Sequence, residues 1–206
     1  MNYANLFKLL EITRFMPQYG YALAGMSKQE QSDLAQHHYL VAMIAWQICD
    51  FLQAQGCDID TAKTLKLAML HDLGELFGGD INWYYGRANA VAKAHAKAFE
   101  KENAAFLSTF FPEHGQFKKL HDEIFAEKTI ESVVAKLGDY LECSHYKFLV
   151  GKGSEADRKA AMNASLEKSE KITDEKSKEA LKTFVTEWFN QFDNNEIYDF
   201  LLTNKL

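Results

Sequence analysis

The candidate chemistry of this chain is concentrated in residues 65–80, which read LKLAMLHDLGELFGGD. The stretch places His71, Asp72 and Glu75 in an otherwise apolar helical run, and after two glycines it delivers Asp80. An unpaired carboxylate or imidazole is costly to bury among Leu, Met and Phe side chains, so these groups need partners. A divalent cation satisfies several such groups at once, and further ligands are expected elsewhere in the chain.

Helical periodicity, rather than alternation, marks most of the sequence. His37 and His38 fall in the early turns of a predicted helix that follows Ser32, and Asp139 interrupts the apolar face of a later helix. The predicted helices cover a segment ending near Phe15, then 33–55, 61–77, 87–111, 117–126, a segment from Thr129 to about 150, 156–171, a segment around 181–192, and 197–202. Because no period-2 strand, repeat or linker stands out, we predict a single all-α domain over residues 1–206.

Composition narrows the possible partners. With 206 residues and 47% hydrophobic content the chain can bury a sizeable core, and its net charge of −6 makes a nucleic-acid backbone an unfavourable partner. The three cysteines show no CxxC spacing, which indicates reduced thiols, and no apolar run approaches a membrane span. The N-terminus lacks an export signal, so we expect a cytoplasmic protein without membrane or nucleic-acid partners.

Two further residues complete a candidate metal site. His37 lies upstream and Asp139 downstream of His71 and Asp72, each at an otherwise apolar helical position. Two imidazoles and two carboxylates suit Mn²⁺, Fe²⁺, Co²⁺, Ni²⁺ or Zn²⁺ and suit Ca²⁺ poorly. An isolated buried histidine is more often a hydrogen-bonded part of the structure than a ligand, so the residues alone leave both interpretations open. A second His-Asp pair, at residues 121–122, lies among charged residues and is expected on the surface.

The order of these residues resembles the HD-domain superfamily of metal-dependent phosphohydrolases, and more closely its bacterial 5′-deoxynucleotidase branch. The resemblance covers about residues 1–150 and rests on Arg14 and on the stretches 37–43 (HHYLVAM), 70–75 (LHDLGE), 79–80 (GD) and 136–139 (KLGD). It implies a single HD-domain-like helical bundle, with the metal-site core in about residues 1–150 and C-terminal helices 155–206 packing on it. It also implies one divalent transition metal ion, Mn, Co, Fe, Ni or Zn, held by the set His37, His71, Asp72 and Asp139. His38 is the competing candidate for the first position.

The resemblance further implies roles in catalysis and substrate binding. Glu75 assists proton transfer, and Asp80 lies beside the substrate and is a second candidate proton donor to the leaving oxygen. Arg14 offers a planar fork to a phosphate, and Trp83 is a candidate for stacking on a base. The chain departs from the branch at Gln36, where an acid is usual, at Phe15, where a Trp is usual, and in the loop 81–85.

The implied activity is hydrolysis of (deoxy)ribonucleoside 5′-monophosphates by metal-activated water. One alternative is an HD phosphohydrolase that acts on another phosphoester or a signalling nucleotide. A second alternative is a non-catalytic helical protein with an interaction surface formed by the aromatic stripe Phe184, Val185, Trp188, Phe189 and Phe192. We expect a small phosphorylated substrate and a homodimer.

Overall fold

The structure, a computed structural model, describes residues 3–191. The helices in this range are α1 (Tyr3–Leu10), α2 (Leu34–Ala54), α3 (Thr61–Leu70), α4 (Trp83–Ala88), α5 (Ala90–Ser108), α6 (His114–Ala126), α7 (Ile130–Leu149), α8 (Glu155–Ser169) and α9 (Glu175–Asn190). Short 3₁₀ segments cover Glu11–Arg14, Tyr19–Ala24 and Leu73–Phe77. Residues 3–191 form no strand beyond an isolated bridge between Pro17 and Asp33, which confirms the prediction of an all-α helical bundle.

Side-chain caps fix where the central helices begin. Asp33, one residue after the expected Ser32, accepts the backbone N–H of Gln36 at the start of α2, and the Gln36 side chain accepts the Asp33 N–H in return. Thr129 caps α7 as expected, by accepting the backbone N–H of Ser132. Asp60 caps α3 in the same way. Each cap satisfies amide groups that have no partner inside the helix, and typically contributes about 1 kcal/mol.

Helices α2, α3 and α7 pack together at the centre of the molecule. Their shared core includes the fully buried side chains Val41, Ala45, Ile48, Leu52, Leu67, Val134, Leu137 and Leu141. Helix α9 adds Leu181, Val185 and Phe189 to the same core, with Phe184 and Trp188 packed against it. The part of the aromatic stripe that lies in the described range is therefore core, and Phe192 lies outside that range.

The predicted helix 61–77 is wrong in its second half. Helix α3 ends at Leu70, and the chain continues through His71 and Asp72 into the 3₁₀ segment Leu73–Phe77. Contact with α5 accounts for the change, because the side chain of Asn103 donates to the carbonyl oxygen of Gly74 at 2.8 Å. A Cβ on Gly74 would lie 2.5 Å from the Glu100 carbonyl, so the segment sits against α5 at a distance that only glycine allows.

Other boundaries also differ from the sequence prediction. The first helix ends at Leu10 and continues only as a 3₁₀ segment, and α6 begins at His114 rather than 117. The expected loop 81–85 contains the start of α4, because the Asn82 side chain accepts the N–H groups of Tyr84 and Tyr85. Asn89 then caps α5, which divides the predicted helix 87–111. The predicted closing helix 197–202 lies outside the described residues.

Helix α8 confirms the predicted helix 156–171 but is not simply a surface element. It packs against α7 and α9, and it buries Ala164, Ser165, Lys168 and Ser169. Within residues 3–191, no helix is long and apolar enough to cross a membrane. The single domain over residues 1–206, the homodimer and the cytoplasmic location stay predictions.

Candidate metal centre

A close approach of α2 and α7 brings the first and last predicted ligands together. His37 lies one turn into α2, and Asp139 lies in the middle of α7. Between them, a Cβ on Gly138 would lie 3.1 Å from the carbonyl oxygen of Val41, so a larger residue would force the helices apart. The glycine thus allows the imidazole Nε2 of His37 to lie 3.5 Å from Oδ1 of Asp139.

The break at the end of α3 supplies the other two predicted ligands. Nε2 of His71 lies 3.0 Å from Nε2 of His37 and 3.1 Å from Oδ2 of Asp72. Oδ1 of Asp139 completes the group, 4.0 Å from Nε2 of His71. One ligand atom from each of these four residues lies within 4.8 Å of the other three. Ligands about 2.1 Å from a divalent ion stand roughly 3 to 4 Å apart, so the spacing fits a metal.

The protonation of the two histidine rings supports a cation between the four ligand atoms. Nδ1 of His71 lies 2.6 Å from the carbonyl oxygen of Ala68, which can only accept, so this nitrogen carries a proton. Nδ1 of His37 lies 2.6 Å from Oε2 of Glu142, and a carboxylate there favours the same tautomer. Both Nε2 lone pairs then face each other and two carboxylates, an arrangement of four acceptors that a divalent ion satisfies.

The same carboxylates favour a proton on His37 when no metal is bound. Burial lowers the pKa of His37, but the surrounding Asp139, Asp72 and Glu142 carboxylates outweigh it and hold that pKa well above the ordinary value. When the metal is absent, a proton on His37 takes its place among the acceptors. Metal binding is therefore expected to release a proton.

Two residues that sequence reasoning missed support the ligands. Glu142 is buried and accepts from His37, and it also accepts the Tyr21 hydroxyl at 3.4 Å. Nζ of Lys136 lies 2.9 Å from Oδ1 of Asp72 and 3.7 Å from Oδ2 of Asp139. Both residues are three positions from Asp139 on α7, so helical spacing was the available signal. Burial lowers the pKa of Lys136, but these acids hold it well above the ordinary value.

His37, not His38, belongs to the cluster. His38 is also buried, with its ring centroid 4.9 Å from that of His71, but its Nε2 has no hydrogen-bond partner in the described part of the chain. Burial lowers the pKa of His38 well below the ordinary value, and the nearby His71 and His37 lower it further. A neutral ring packed behind the ligands fits these surroundings.

A cavity of about 500 Å³ opens beside the cluster. Its lining includes Asp72 and Asp139 from the cluster, together with Glu75 and Asp80. Ligand sites for small molecules commonly measure about 300 to 1,000 Å³, so a cavity of this size suits a nucleotide-sized molecule.

Two carboxyl groups beside Asp72 have an altered affinity for protons. Glu75 and Glu100 each place an oxygen near a carboxylate oxygen of Asp72. Burial raises the pKa of Glu75 well above its ordinary value, and the charges of Asp72 and Asp80 raise it further. Burial likewise raises the pKa of Glu100 to about 7. Both carboxyl groups at this edge of the cavity therefore bind a proton more tightly than an ordinary glutamate, which suits them to proton donation.

Asp80 is held by the 3₁₀ segment Tyr19–Ala24. Its Oδ2 accepts the backbone N–H of Gly20 at 2.6 Å, and the neighbouring Asn82 side chain donates to the Gly20 carbonyl at 2.6 Å. Burial raises the pKa of Asp80, although the Gly20 hydrogen bond opposes the shift. The carboxylate is thus fixed in position on the cavity wall.

The two other predicted substrate residues lie in different places. Trp83 lines the cavity, donates its indole N–H to the Tyr140 hydroxyl at 3.3 Å, and carries the Arg87 guanidinium 4.9 Å above its ring centroid. Arg14 is exposed, pairs with Glu11 at 2.7 Å and is not among the residues that line the cavity. The structure brings Trp83 and Asp80 to the cavity and leaves Arg14 outside it, and all three substrate roles stay predictions.

A helical bundle that gathers two histidines and two aspartates from α2, from the end of α3 and from α7 defines a class of metal-dependent hydrolase. The chain belongs to the HD-domain family, whose model matches residues 15–181. HD domains bind divalent metals, and the cluster described above is where this chain would hold one.

Solved structures agree on the fold. The PH0347 protein from Pyrococcus horikoshii OT3 is 22% identical with a TM-score of 0.65, and the match covers 91% of this chain and 98% of that one. A conserved hypothetical protein from Pyrococcus furiosus is 21% identical with a TM-score of 0.69, covering 91% of this chain and 99% of that one. No match was found among curated proteins.

Proposed function

We propose that this HD-domain protein is a metal-dependent 5′-nucleotidase that releases phosphate from (deoxy)ribonucleoside 5′-monophosphates. The observation that carries the proposal is the position of two carboxyl groups with raised pKa, Glu75 and Asp80, on a nucleotide-sized cavity that opens beside the four-ligand cluster. The resemblance of residues 1–150 to bacterial 5′-deoxynucleotidases supports the same substrate class.

The ligands and their partners prepare the site for a phosphate. When bound, a divalent ion supplies a Lewis acid for a phosphoryl oxygen and lowers the pKa of water. Lys136 is half-buried beside Asp72 and Asp139 and offsets part of their negative charge, which favours the approach of an anionic substrate. Glu142 holds the His37 ring in the tautomer that turns Nε2 toward the site.

Glu75 is the proposed general acid. Departure of the 5′-oxygen requires a proton, and the raised pKa of Glu75 favours the protonated form of its carboxyl group, which can donate one. Asp80 faces the same cavity, but one of its oxygens is already occupied by the Gly20 N–H. We therefore assign proton donation to Glu75 and contact with the sugar to Asp80.

Phosphate release from a panel of nucleoside 5′- and 3′-monophosphates tests the proposal. We expect Mn²⁺- or Co²⁺-loaded protein to hydrolyse the 5′ series. Glu75→Gln should lower kcat about 100-fold or more while its metal content is unchanged, because it removes the proton and leaves the ligands. Glu102→Gln, an exposed change on α5, is the matched control.

Three results would contradict the proposal. The first is metal-loaded protein that releases no phosphate from any 5′-monophosphate. The second is preferential release from another class of phosphoester, which would favour the alternative HD phosphohydrolase. The third is a Glu75→Gln variant as active as the Glu102→Gln control, which would remove Glu75 from the reaction.

A further inference from the structure

One wall of the cavity carries more positively than negatively charged side chains. Glu127, at the end of α6, lines this wall together with Lys168 from α8 and Lys171 just beyond α8. Nζ of Lys168 lies 2.6 Å from Oε2 of Glu127, and Nζ of Lys171 lies 2.5 Å from the same oxygen. Two ammonium groups thus share one carboxylate oxygen, which leaves an excess of positive charge.

A third lysine adds to this excess. Lys97 lines the same cavity from α5, and within residues 3–191 no carboxylate oxygen lies within 4.0 Å of its Nζ. Lys97 is exposed, and its Nζ lies 6.0 Å from the Phe125 ring centroid. Burial lowers the pKa of Lys97, and the charges of Glu127 and Glu100 raise it. Of the other lining lysines, Lys93 likewise has no carboxylate oxygen within 4.0 Å in residues 3–191, whereas Lys147 pairs with Asp157 at 2.6 Å and Lys136 lies between two metal-ligand acids.

Burial makes the excess charge effective. The Lys168 side chain is only 9% exposed, and burial lowers its pKa to about 8. Glu127 opposes that shift, while Lys171 and Lys136 reinforce it. Burial is the main cause of the lowered pKa and the neighbouring ammonium groups add to it, so an additional anion beside Lys168 would stabilise its charged form.

The backbone holds Glu127 in place at some cost. Its φ of 47° lies in the left-handed region, and it is the one non-glycine residue in the described range with a positive φ. Glycine or asparagine would adopt this helix-ending conformation more easily. The glutamate therefore contributes through its carboxylate, which holds the two ammonium groups side by side at the cavity wall.

One aromatic residue connects this wall to the metal centre. Tyr140 directly follows Asp139 on α7, and Nζ of Lys168 lies 4.6 Å from the Tyr140 ring centroid. The Tyr140 hydroxyl accepts the indole N–H of Trp83. The rings of Trp83 and Tyr140 line the same cavity as the metal ligands Asp72 and Asp139 and as the three lysines, so one bound molecule can contact both groups.

We propose that Lys168, Lys171 and Lys97 form a subsite for a second anionic group on the substrate. The inference rests on the proposed function, and it specifies the substrate as a nucleoside 5′-phosphate that carries a further phosphate or a carboxylate. That group would share the lysine ammonium groups with Glu127 through charge-assisted hydrogen bonds.

Paired probes test the subsite and distinguish its two possible anions. Adenosine 3′,5′-bisphosphate is compared with adenosine 5′-monophosphate, and orotidine 5′-monophosphate with uridine 5′-monophosphate. Affinity is measured by calorimetry on Mn²⁺-loaded protein carrying Glu75→Gln, to limit turnover, and kcat/KM is measured on the otherwise unchanged protein. We expect the doubly anionic member of one pair to bind about tenfold more tightly.

Three variants separate an anion subsite from a merely structural ion pair. Lys171→Met removes a half-exposed cation and keeps the contact between Lys168 and Glu127, so it should fold and reduce the preference several-fold. Glu127→Gln keeps an amide oxygen that can accept from the ammonium groups but removes the competing charge, so it should increase the preference, whereas loss of a structural ion pair would not. Lys159→Met, an exposed change on α8 outside the cavity lining, should leave the preference unchanged.

The outcomes for the subsite and for the proposed function are distinct. Equal affinity within both probe pairs, or a preference that Lys171→Met and Glu127→Gln leave unchanged, overturns the subsite even if 5′-monophosphates are hydrolysed. A lysine-dependent preference without release of phosphate supports the subsite and overturns the nucleotidase. Tighter binding in the adenosine pair alone assigns the second anion as phosphate, and tighter binding in the orotidine pair alone assigns it as carboxylate.

Discussion

The dipeptide His-Asp occurs twice in this chain, and its two copies have different surroundings. At residues 71–72 the imidazole is bonded through Nδ1 to a backbone carbonyl, and its Nε2 faces His37 and the two carboxylates. At residues 121–122 the His121 ring is only 3% exposed and lies between Phe117 and Phe125, with centroids 6.2 and 4.6 Å away. Asp122 is exposed, and Nε2 of His121 has no hydrogen-bond partner in the described residues.

The comparison shows that the dipeptide itself carries little information. The expectation that residues 121–122 form ordinary surface is correct for Asp122 and wrong for His121. The reason is a stripe of Phe117, His121 and Phe125 at helical spacing, which turns the ring toward neighbouring helices. What distinguishes His71 is the convergence of ligand atoms from other helices, and the predictions below test that distinction.

The largest difference is expected between the two aspartates. Asp72→Ala removes a ligand and leaves the half-buried Lys136 without its closest partner, so we expect loss of the metal and a drop in activity of about a thousandfold. Asp122→Ala should leave metal content and activity unchanged. Elemental analysis and phosphate release, measured in parallel on the two variants, check the prediction. Equal effects would remove the functional distinction between the pairs.

A smaller effect is expected from the partners of the ligands. Glu142→Gln weakens the interaction that orients His37 and should lower metal affinity about 10- to 100-fold. Tyr21→Phe removes only the longer contact to Glu142 and should lower metal affinity less. Competition with a chromophoric chelator measures both affinities. If Glu142→Gln binds metal as wild type does, the positioning role of Glu142 is wrong.

The third prediction concerns His121, from the second His-Asp pair, and the dependence of the protein's stability on pH. Burial lowers the pKa of His121 from 6.5 to about 4. The unfolded chain therefore binds the proton more readily, and stability falls as the pH drops below 6.5 until both states are protonated below 4. Between pH 7 and 5 this group should reduce the free energy of unfolding by about 2 kcal/mol.

His121→Leu should remove that part of the pH dependence, because leucine fills a similar volume without a titrating group. Urea unfolding of chelator-treated wild type and variant at the two pH values measures the difference. The comparison uses the change with pH and not the stability at one pH, so a packing cost of the leucine does not affect it. An identical pH dependence would show that His121 does not titrate as its burial implies.

Much of the fold could be predicted because its causes are local. Apolar residues at helical spacing and the caps Asp60 and Thr129 act within a few residues of each other, and α2, α6, α7, α8 and α9 lie close to where these signals place them. The break after Leu70 could not be seen, because its cause is Asn103 and the backbone of Glu100 on another helix. The split at Asn89 could not be predicted, because a single capping residue inside a helical pattern is a weak signal.

The sequence by itself determined most of the helices, the chemical types of the ligands and the order in which His37, His71, Asp72 and Asp139 occur. Tertiary structure decided the rest: that His37 and not His38 belongs to the cluster, that Lys136 and Glu142 support it, and that Lys168 from α8 lines the cavity. The physical reason is distance along the chain. His37 and Glu142 are 105 residues apart yet meet at 2.6 Å, and no local spacing rule connects positions that only packing brings together.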